Sequence, residues 1–422
     1  MTGRTVCLIA VILLSIGVSQ SEAQTYGPPM GPMGPSNPIP LLGTQYPLTP
    51  HYTPGAANWA HDNITADRGG LYEDSPLDEF VRDLARDSFV RIEWLQWHFK
   101  KPGDNPLGAN ITSVVDVRDP FDIVVANQVQ GEGRVESLAG VKLGDINGIR
   151  GTLGVPLGKA TVEANIFSFS DVEERTFVDD LGLPTGNDPF QLPQFVVTTT
   201  LTNGQPGNNT FQYDRDYSTR FTSNLWGTGI NYVFEAPLTP PFIQIRPLFG
   251  FRFISLDEQL IQNGSFDGFG QLTPAQTVNT VISSDTANNV YVPQLGARVE
   301  FDSRWVSIGV EGKFGLGVNQ YRGAVFTESL RAVADPRVDS SEAGEKLSAT
   351  GELAVYGRVH INKNFSLNVG YTIMFVDNIT RPHNSILYND NGPFPTPAAV
   401  VVDSSFELMY FQGLNVGGEI RF

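Results

Sequence analysis

Segments with the length and alternation of β-strands recur along residues 88–422, and the connections between them are alternately long and short. Apolar side chains take every second position in these segments, which is the repeat of an extended strand with two different faces. We predict ten strands, at residues 88–98, 147–156, 160–170, 218–235, 242–258, 288–302, 305–320, 348–361, 365–378 and 409–422. Five long and four short connections then alternate without exception.

This sorting of the connections favours a transmembrane antiparallel up-and-down β-barrel. An outer-membrane barrel has short turns at its periplasmic end and long loops outside, whereas a soluble sandwich has no reason to separate its loops by length. The even strand count places both ends of the barrel chain in the periplasm. Residues 133–145 could instead extend the second strand or form part of an extra hairpin, so twelve strands is an alternative.

The last nine residues show the alternation clearly, and they stop on a phenylalanine. The side chains expected to face lipid are Leu414, Val416, Gly418, Ile420 and Phe422. The side chains expected to face inward are Asn415, Gly417, Glu419 and Arg421. Such an ending is typical of bacterial outer-membrane barrels. We expect Phe422, Ile420 and Gly418 to form the signal that the barrel-assembly machinery reads.

The N-terminal residues predict export. Arg4, the apolar run 6–18 and the small-x-small site 21–23 have the organisation of a secretory signal peptide over residues 1–23. Cys7, the only cysteine, lies within it, so a mature chain would have no disulfide or thiolate site. After the signal, no apolar run approaches the roughly 20 residues of a membrane-spanning helix. Together with the strand pattern, this predicts the bacterial cell outer membrane as the location.

Two further segments precede the first strand. Residues 24–74 are rich in Pro and Gly and predict a disordered arm. Ser75 and Pro76 then supply an N-cap and a proline at the first helical position, and apolar residues follow at helical spacing. We predict a short amphipathic helix at 75–86, followed by the barrel at 87–422. The helix could plug the lumen or merely cover the base of the first strand.

The polar faces of the strands identify candidate lumen residues. If Ser303 and Arg304 form a two-residue turn, the register pairs Arg298 with Gly309 and Gly296 with Glu311, and the opposite face is apolar throughout. The residues expected to face the lumen are Glu93, Arg150, Arg246, Arg252, Arg298, Glu300, Glu311, Lys313, Glu352, Arg358, Glu419 and Arg421. A ten-stranded barrel encloses little free space, so this mixed charge predicts a packed ladder of ion pairs.

No catalytic, cofactor-binding or metal-binding spacing is found in the sequence. His360 would face inward and could pair with a lumen carboxylate, and only a loop tip such as His383 could contribute to a catalytic constellation. The acidic run Asp171–Glu174 lacks the spacing of a calcium loop. The net charge of −17, without clustered Lys and Arg, argues against a nucleic-acid partner. We therefore expect no enzyme, no cofactor and no metal, with outer-membrane lipid as a partner.

Several of these segments resemble a known family. Residues 91–98, followed by the Lys-Lys-Pro-Gly of 100–103, are similar to the first strand of the beta-barrel porin family seven of planctomycete bacteria. Residues 148–154, 247–253, 355–382 and 412–416 are also similar, in the same order. The resemblance covers about residues 88–422. It implies an outer-membrane barrel and brings no catalytic residues.

Three functional hypotheses arise from the sequence. The first is a barrel without catalytic activity that serves as a narrow channel for a small solute or as a structural or surface element. The second is a barrel whose long extracellular loops bind a ligand or partner. The third is a soluble exported β-protein.

Overall fold

A computed structural model describes residues 85–109, 119–125, 128–179, 181, 192–235, 243–267, 276–392 and 396–422. The predicted signal peptide, the arm and nearly all of the predicted helix lie outside these residues. The chain divides into two compact units, 1–86 and 87–422, and the second contains all of the described strands. In the described residues, no helix is long and apolar enough to cross a membrane.

Almost all regular structure in the second unit is β-strand. The strands are β1 (Phe89–Phe99), β2 (Phe121–Val125), β3 (Gln128–Val135), β4 (Ile146–Leu157), β5 (Ala160–Phe169), β6 (Val172–Val178), β7 (Gln194–Thr202), β8 (Gln205–Tyr213), β9 (Asp216–Phe234), β10 (Ile243–Phe266), β11 (Val278–Asp302), β12 (Val306–Glu328), β13 (Val338–His360), β14 (Phe365–Thr380), β15 (Ile386–Leu387), β16 (Asn389–Asp390), β17 (Val401–Val402) and β18 (Phe406–Arg421). Single turns of 3-10 helix lie at Leu138–Gly140 and Pro382–Asn384.

Ten of the described strands close into an antiparallel ring, which confirms the predicted barrel. The order around the ring is β1, β4, β5, β9, β10, β11, β12, β13, β14 and β18, and β18 pairs back with β1. β6 follows β5 along the same side of β9, and both strands pair with β9. Strands β10 to β13 are longer than predicted and extend into what the sequence suggested were loops.

The two ends of the ring differ in their connections. At one end, which we call the short-turn end, β4 joins β5 through Gly158 and Lys159, and Gly158 has the positive φ of 64° that such a tight turn favours. The start of β1 and the end of β18 also meet at this end, where the backbone N–H of Phe422 donates to the carbonyl of Ser88 at 3.0 Å. The opposite end, the long-loop end, carries the described parts of segments 100–145, 170–215 and 381–405.

The outer wall of the ring is an apolar belt. Leu295 and Trp305, for example, remain 70% and 61% exposed. The outward residues of the last strand behave alike, since Leu414, Val416, Ile420 and Phe422 are all exposed while Asn415 and Glu419 are buried. So much exposed apolar surface around a closed ring fits contact with lipid chains.

The predicted register of the β11–β12 hairpin is wrong by two residues. Asp302 is paired with Ser307 and Arg298 with Glu311, because four residues rather than two separate the paired ends of the strands. A shift of two positions leaves every side chain on its predicted face but changes its partner across the strands. As a result Arg298 stands opposite a carboxylate instead of a glycine.

Residues 133–145 contribute no eleventh or twelfth strand to the ring. β2 and β3 form a hairpin in a separate sheet at the long-loop end, which we call the cap sheet and which consists of β2, β3, β7, β8 and β16. β3 and β16 both pair in parallel with β7, although the three strands belong to three different long connections. The cap sheet therefore ties the long loops to one another.

The half of the barrel interior nearest the long loops is largely apolar, although the sequence predicted a polar inner face. Trp97, Phe99 and Phe411 point inward from the ring, and the Phe99 and Phe411 rings meet edge to face at 4.9 Å. Loop residues such as Leu143 and Val400 are fully buried in the same cluster. Because folded loops cover the inner wall here, water does not reach it and apolar side chains are favoured.

Candidate functional site

The predicted lumen residues, with two more, lie in two layers of ion pairs near the short-turn end. The central tier consists of Glu93, Arg150, Glu163, Arg252, Arg298, Glu311, Lys313 and Glu352. The mouth tier, closer to the short turns, consists of Arg91, Arg246, Glu300, Arg358, Glu419 and Arg421. All of these side chains come from strands of the ring.

Within the central tier, a chain of six alternating charges crosses the lumen. Arg298 is bidentate to Glu163, with nitrogen–oxygen distances of 2.8 and 2.7 Å, and its Nε donates to Glu311 at 2.5 Å. Lys313 bonds both Glu311 and Glu352, the latter at 3.0 Å. Arg252 then reaches the other oxygen of Glu352 at 2.7 Å. Since β5 and β11 are not neighbours in the ring, the Arg298–Glu163 pair spans the interior.

A separate pair completes the central tier. Arg150 Nε donates to Glu93 at 2.7 Å, and the amide nitrogen of Asn368 donates to the other Glu93 oxygen at 2.7 Å. The tier thus holds four cations and four carboxylates, all largely buried. The cavity between them is about 60 Å³, which is room for a few water molecules only.

The mouth tier is arranged around two carboxylates. Arg91 donates to Glu419 Oε2 through Nε at 2.9 Å and Nη2 at 2.7 Å, and Arg421 Nε donates to Oε1 at 2.9 Å. Glu300 accepts from the hydroxyl of Tyr356 at 2.7 Å and lies 3.2 Å from Arg246. The guanidinium of Arg358 lies between the two carboxylates.

Among the residues that the structure describes, no carboxylate pairs with His360. Its Nε2 lies 2.8 Å from the hydroxyl of Ser307 and its Nδ1 lies 2.9 Å from the hydroxyl of Ser366. Ser366 is its direct cross-strand partner on β14, so the β13–β14 register decides the contact. The imidazole on β13 therefore bridges two hydroxyl groups, one on each of the neighbouring strands β12 and β14.

A second ionic cluster fixes the loop that follows β14, and we call it the loop latch: Glu258, Arg381, Glu407 and Lys100. Arg381 is fully buried and forms two hydrogen bonds to Glu258 of β10, at 2.7 and 2.8 Å. It also donates to the carbonyl of Lys100 at 3.0 Å and lies 3.3 Å from Glu407. The predicted strands left Arg381 in the long connection between 378 and 409, and the structure shows that this loop turns inward.

The backbone beside the latch is held as well. Asn288 of β11 donates to the carbonyl of Thr380 at 2.8 Å and accepts from its N–H at 2.9 Å. Asn319 of β12 donates to Asn288 at 2.9 Å and to the carbonyl of Asn378 at 2.8 Å. The start of the loop is therefore anchored on two neighbouring strands.

His383 is not at an open loop tip, as the sequence suggested, but is half-buried next to the latch. Burial, with the positive charges of Arg381 and Lys100, holds the pKa of its imidazole well below the usual value. Among the described residues, no hydroxyl or carboxylate is hydrogen-bonded to its ring.

His98 and Asp145 form a separate pair at 3.5 Å on the outer surface. The described part of the chain contains no cluster of His, Cys, Asp and Glu arranged to hold a metal ion.

Two members of the tiers were not predicted from the sequence. Arg91 lies directly opposite Glu419 in the β1–β18 pairing. The register with which β18 closes the barrel against β1 would therefore have predicted that Arg91 faces inward. Glu163 lies in a segment whose alternation can be read in either phase, since Phe167 and Phe169 point inward beside it.

Arg381 of the loop latch had only a weak signal in the sequence, a lone cation between Ile379 and Pro382 in a connection.

Comparisons with known proteins give one strong match. A family model described as "Putative beta barrel porin-7 (BBP7)" matches residues 89–422. None of the curated proteins matches the chain. Among solved structures, the outer membrane protease OmpT from Escherichia coli is 10% identical, with a TM-score of 0.42, over 80% of this chain and 97% of its own.

Two further structures belong to transport proteins. The CymD monoaromatic hydrocarbon channel is 7% identical, with a TM-score of 0.20, over 84% of this chain and 92% of its own. The toluene transporter TodX from P. putida is 7% identical, with a TM-score of 0.16, over 81% of this chain and 94% of its own. All three TM-scores are below 0.5, so no argument rests on these likenesses.

Proposed function

The chain belongs to the beta barrel porin-7 family, and from this premise we propose that it is an outer-membrane barrel with a closed lumen, serving as a structural or surface element without catalytic activity. In the bacterial outer membrane, the apolar belt would contact lipid and the short-turn end would face the periplasm. The terminal Ile420 and Phe422, both exposed on that belt, would be available to the barrel-assembly machinery during insertion.

The observation that carries this proposal is the loop latch. Arg381 and Glu258 are both fully buried, and their bidentate pair fixes the β14–β18 loop to the opposite part of the ring. Breaking a buried pair by removing one partner costs about 3–5 kcal/mol, because the remaining charge is left without compensation. Opening the lumen would require Arg381 and Glu258 to separate and the apolar core to become exposed. The first hypothesis also allowed a narrow channel. Such a channel would require the loops that fill the long-loop end to rearrange.

The cap sheet supports a second candidate function, an extracellular binding surface. Three long connections contribute to one sheet, and Val196, Val197 and Thr200 of its central strand are fully buried. Loops held in one arrangement lose less conformational entropy on binding than free loops would. A ligand or partner of the loops would thus meet a preformed surface.

Planar-bilayer recordings of the full-length protein test whether the lumen is closed. We expect no steady single-channel steps from the folded wild type and intermittent steps from Arg381→Ala, which frees the loop. Arg337→Ala is the matched control, because Arg337 is an exposed arginine at the same end whose ion pair, with Asp339, is also exposed and whose guanidinium lies over the Phe326 ring. Steady steps from the wild type, with folding verified by heat-modifiable migration in gels, would contradict the proposal.

A further inference from the structure

Arg358 is a buried guanidinium whose Nε has no hydrogen-bond partner within the described part of the chain. Its side chain is only 6% exposed, and its nearest carboxylate oxygens lie at 3.6 Å on Glu419 and 3.8 Å on Glu300. These distances are beyond hydrogen-bond range. An arginine presents five donors, and buried donors left unsatisfied cost free energy.

The two carboxylates are already engaged by other groups. Glu419 accepts from Arg91 and Arg421, while Glu300 accepts from Tyr356 and faces Arg246. The six side chains of the mouth tier are four arginines and two glutamates, a formal surplus of two positive charges. Asp302, on the same inward face of β11 as Glu300 and nearer the turn, reduces this surplus to one. The central tier has four cations and four carboxylates.

The surplus is accessible from the short-turn end. The side chains of Arg246 and Arg421 are 33% and 47% exposed, while that of Arg358 is only 6% exposed. Arg246 and Arg421 belong to β10 and β18, on different sides of β13, which carries Arg358. An incoming group could meet two partly solvated guanidinium groups first and then the buried one.

We propose that the mouth tier binds a phosphate group, with Arg358 as the buried anchor and Arg246 and Arg421 as the outer contacts. A phosphate carries between about −1.5 and −2 charges at pH 7, opposite in sign to the surplus. Guanidinium groups bind phosphate oxygens with paired, charge-assisted hydrogen bonds. The source of the phosphate is either a soluble phosphate compound or the headgroup of a neighbouring phospholipid. This site goes beyond the closed-barrel function and does not depend on it.

Titration of the refolded full-length protein with inorganic phosphate, at constant ionic strength and with chloride as the reference anion, tests the site. Calorimetry should show saturable binding that chloride does not reproduce. Arg358→Met should weaken the binding about tenfold or more, the factor expected when charge-assisted hydrogen bonds are lost. Lys363→Gln is the control, because Lys363 is an exposed cation in a turn at the same end.

A second variant covers the case in which the first does not fold, and added lipid distinguishes the two phosphate sources. If Arg358→Met does not fold, Arg421→Gln, at a half-exposed position, should weaken phosphate binding by a smaller factor. Protein in nanodiscs of phosphatidylcholine, with and without added phosphatidylglycerol, identifies the source. Stabilisation by the added lipid that requires Arg358 would assign the site to a headgroup phosphate. The proposal is overturned if phosphate binds no better than chloride and the added lipid has no effect, or if Arg358→Met binds as the wild type does.

Discussion

The two halves of the barrel interior are filled by different means. Near the short-turn end, the interior consists of charged side chains from the ring strands, joined across the lumen as in Arg298 to Glu163. Near the long-loop end, it is an apolar core shared by the ring and the folded loops, with the loop latch as its ionic contact. Both halves are packed, but only the second depends on the loops.

This difference separates two sources of stability. Ion pairs in the charged half are costly to bury, and they hold only if every member has its partner. The apolar half gains stability from burial of surface, which is less directional and tolerates imperfect geometry better. A substitution should therefore act through uncompensated charge in one half and through lost packing in the other.

The largest effect is expected from Arg298→Met in the charged half. Glu163 has no other ion-pair partner among the described residues, so its buried charge would be left uncompensated. Unfolding by urea in detergent micelles should show a loss of about 3–5 kcal/mol in the free energy of unfolding. Adding Glu163→Leu should restore much of it, because the uncompensated charge is then removed.

An exposed ion pair supplies the control for this prediction. Arg175 and Glu173 pair on the surface, with side chains 68% and 42% exposed, so Arg175→Ala should cost no more than about 1 kcal/mol. An equal loss from Arg175→Ala and Arg298→Met would show that the central tier contributes no more than a surface pair.

A smaller effect is expected from Leu143→Ala in the apolar half. Leu143 belongs to a loop but is fully buried in the shared core, so its truncation should cost about 2–5 kcal/mol, toward the lower end if the loop relaxes into the space. Leu157→Ala is the matched control on the outer wall, where the side chain is 44% exposed. If the two variants unfold at the same urea concentration, the loops are not part of the cooperative core.

The same division explains what the sequence could predict. Strand alternation is a local pattern, so ten strands and the inward position of residues such as Arg298 follow from it. The exact partner does not, because a four-residue turn instead of a two-residue turn replaces Gly309 by Glu311 opposite Arg298. Partners across the lumen, such as Glu163, depend on how the ring closes.

The long-loop half was much less predictable. The inward position of Arg381 depends on contacts with Glu258 and Asn288, which are distant in sequence and on other strands. The cap sheet likewise joins strands from three connections, with parallel pairings that have no signature in a single segment. Such contacts form only when the loops fold together, so residue spacing does not reveal them.

The smallest expected effect is a pH dependence in the long-loop half. His383 has a lowered pKa, so the unfolded chain binds a proton more readily than the folded protein. Stability should then fall as the pH drops below the unfolded value near 6.5, by about 1 kcal/mol between pH 7 and pH 5.5. Comparing urea midpoints of the wild type and His383→Gln over this range isolates the contribution. The same slope in both proteins would mean that acid acts elsewhere, for instance on the carboxylates of the charged half.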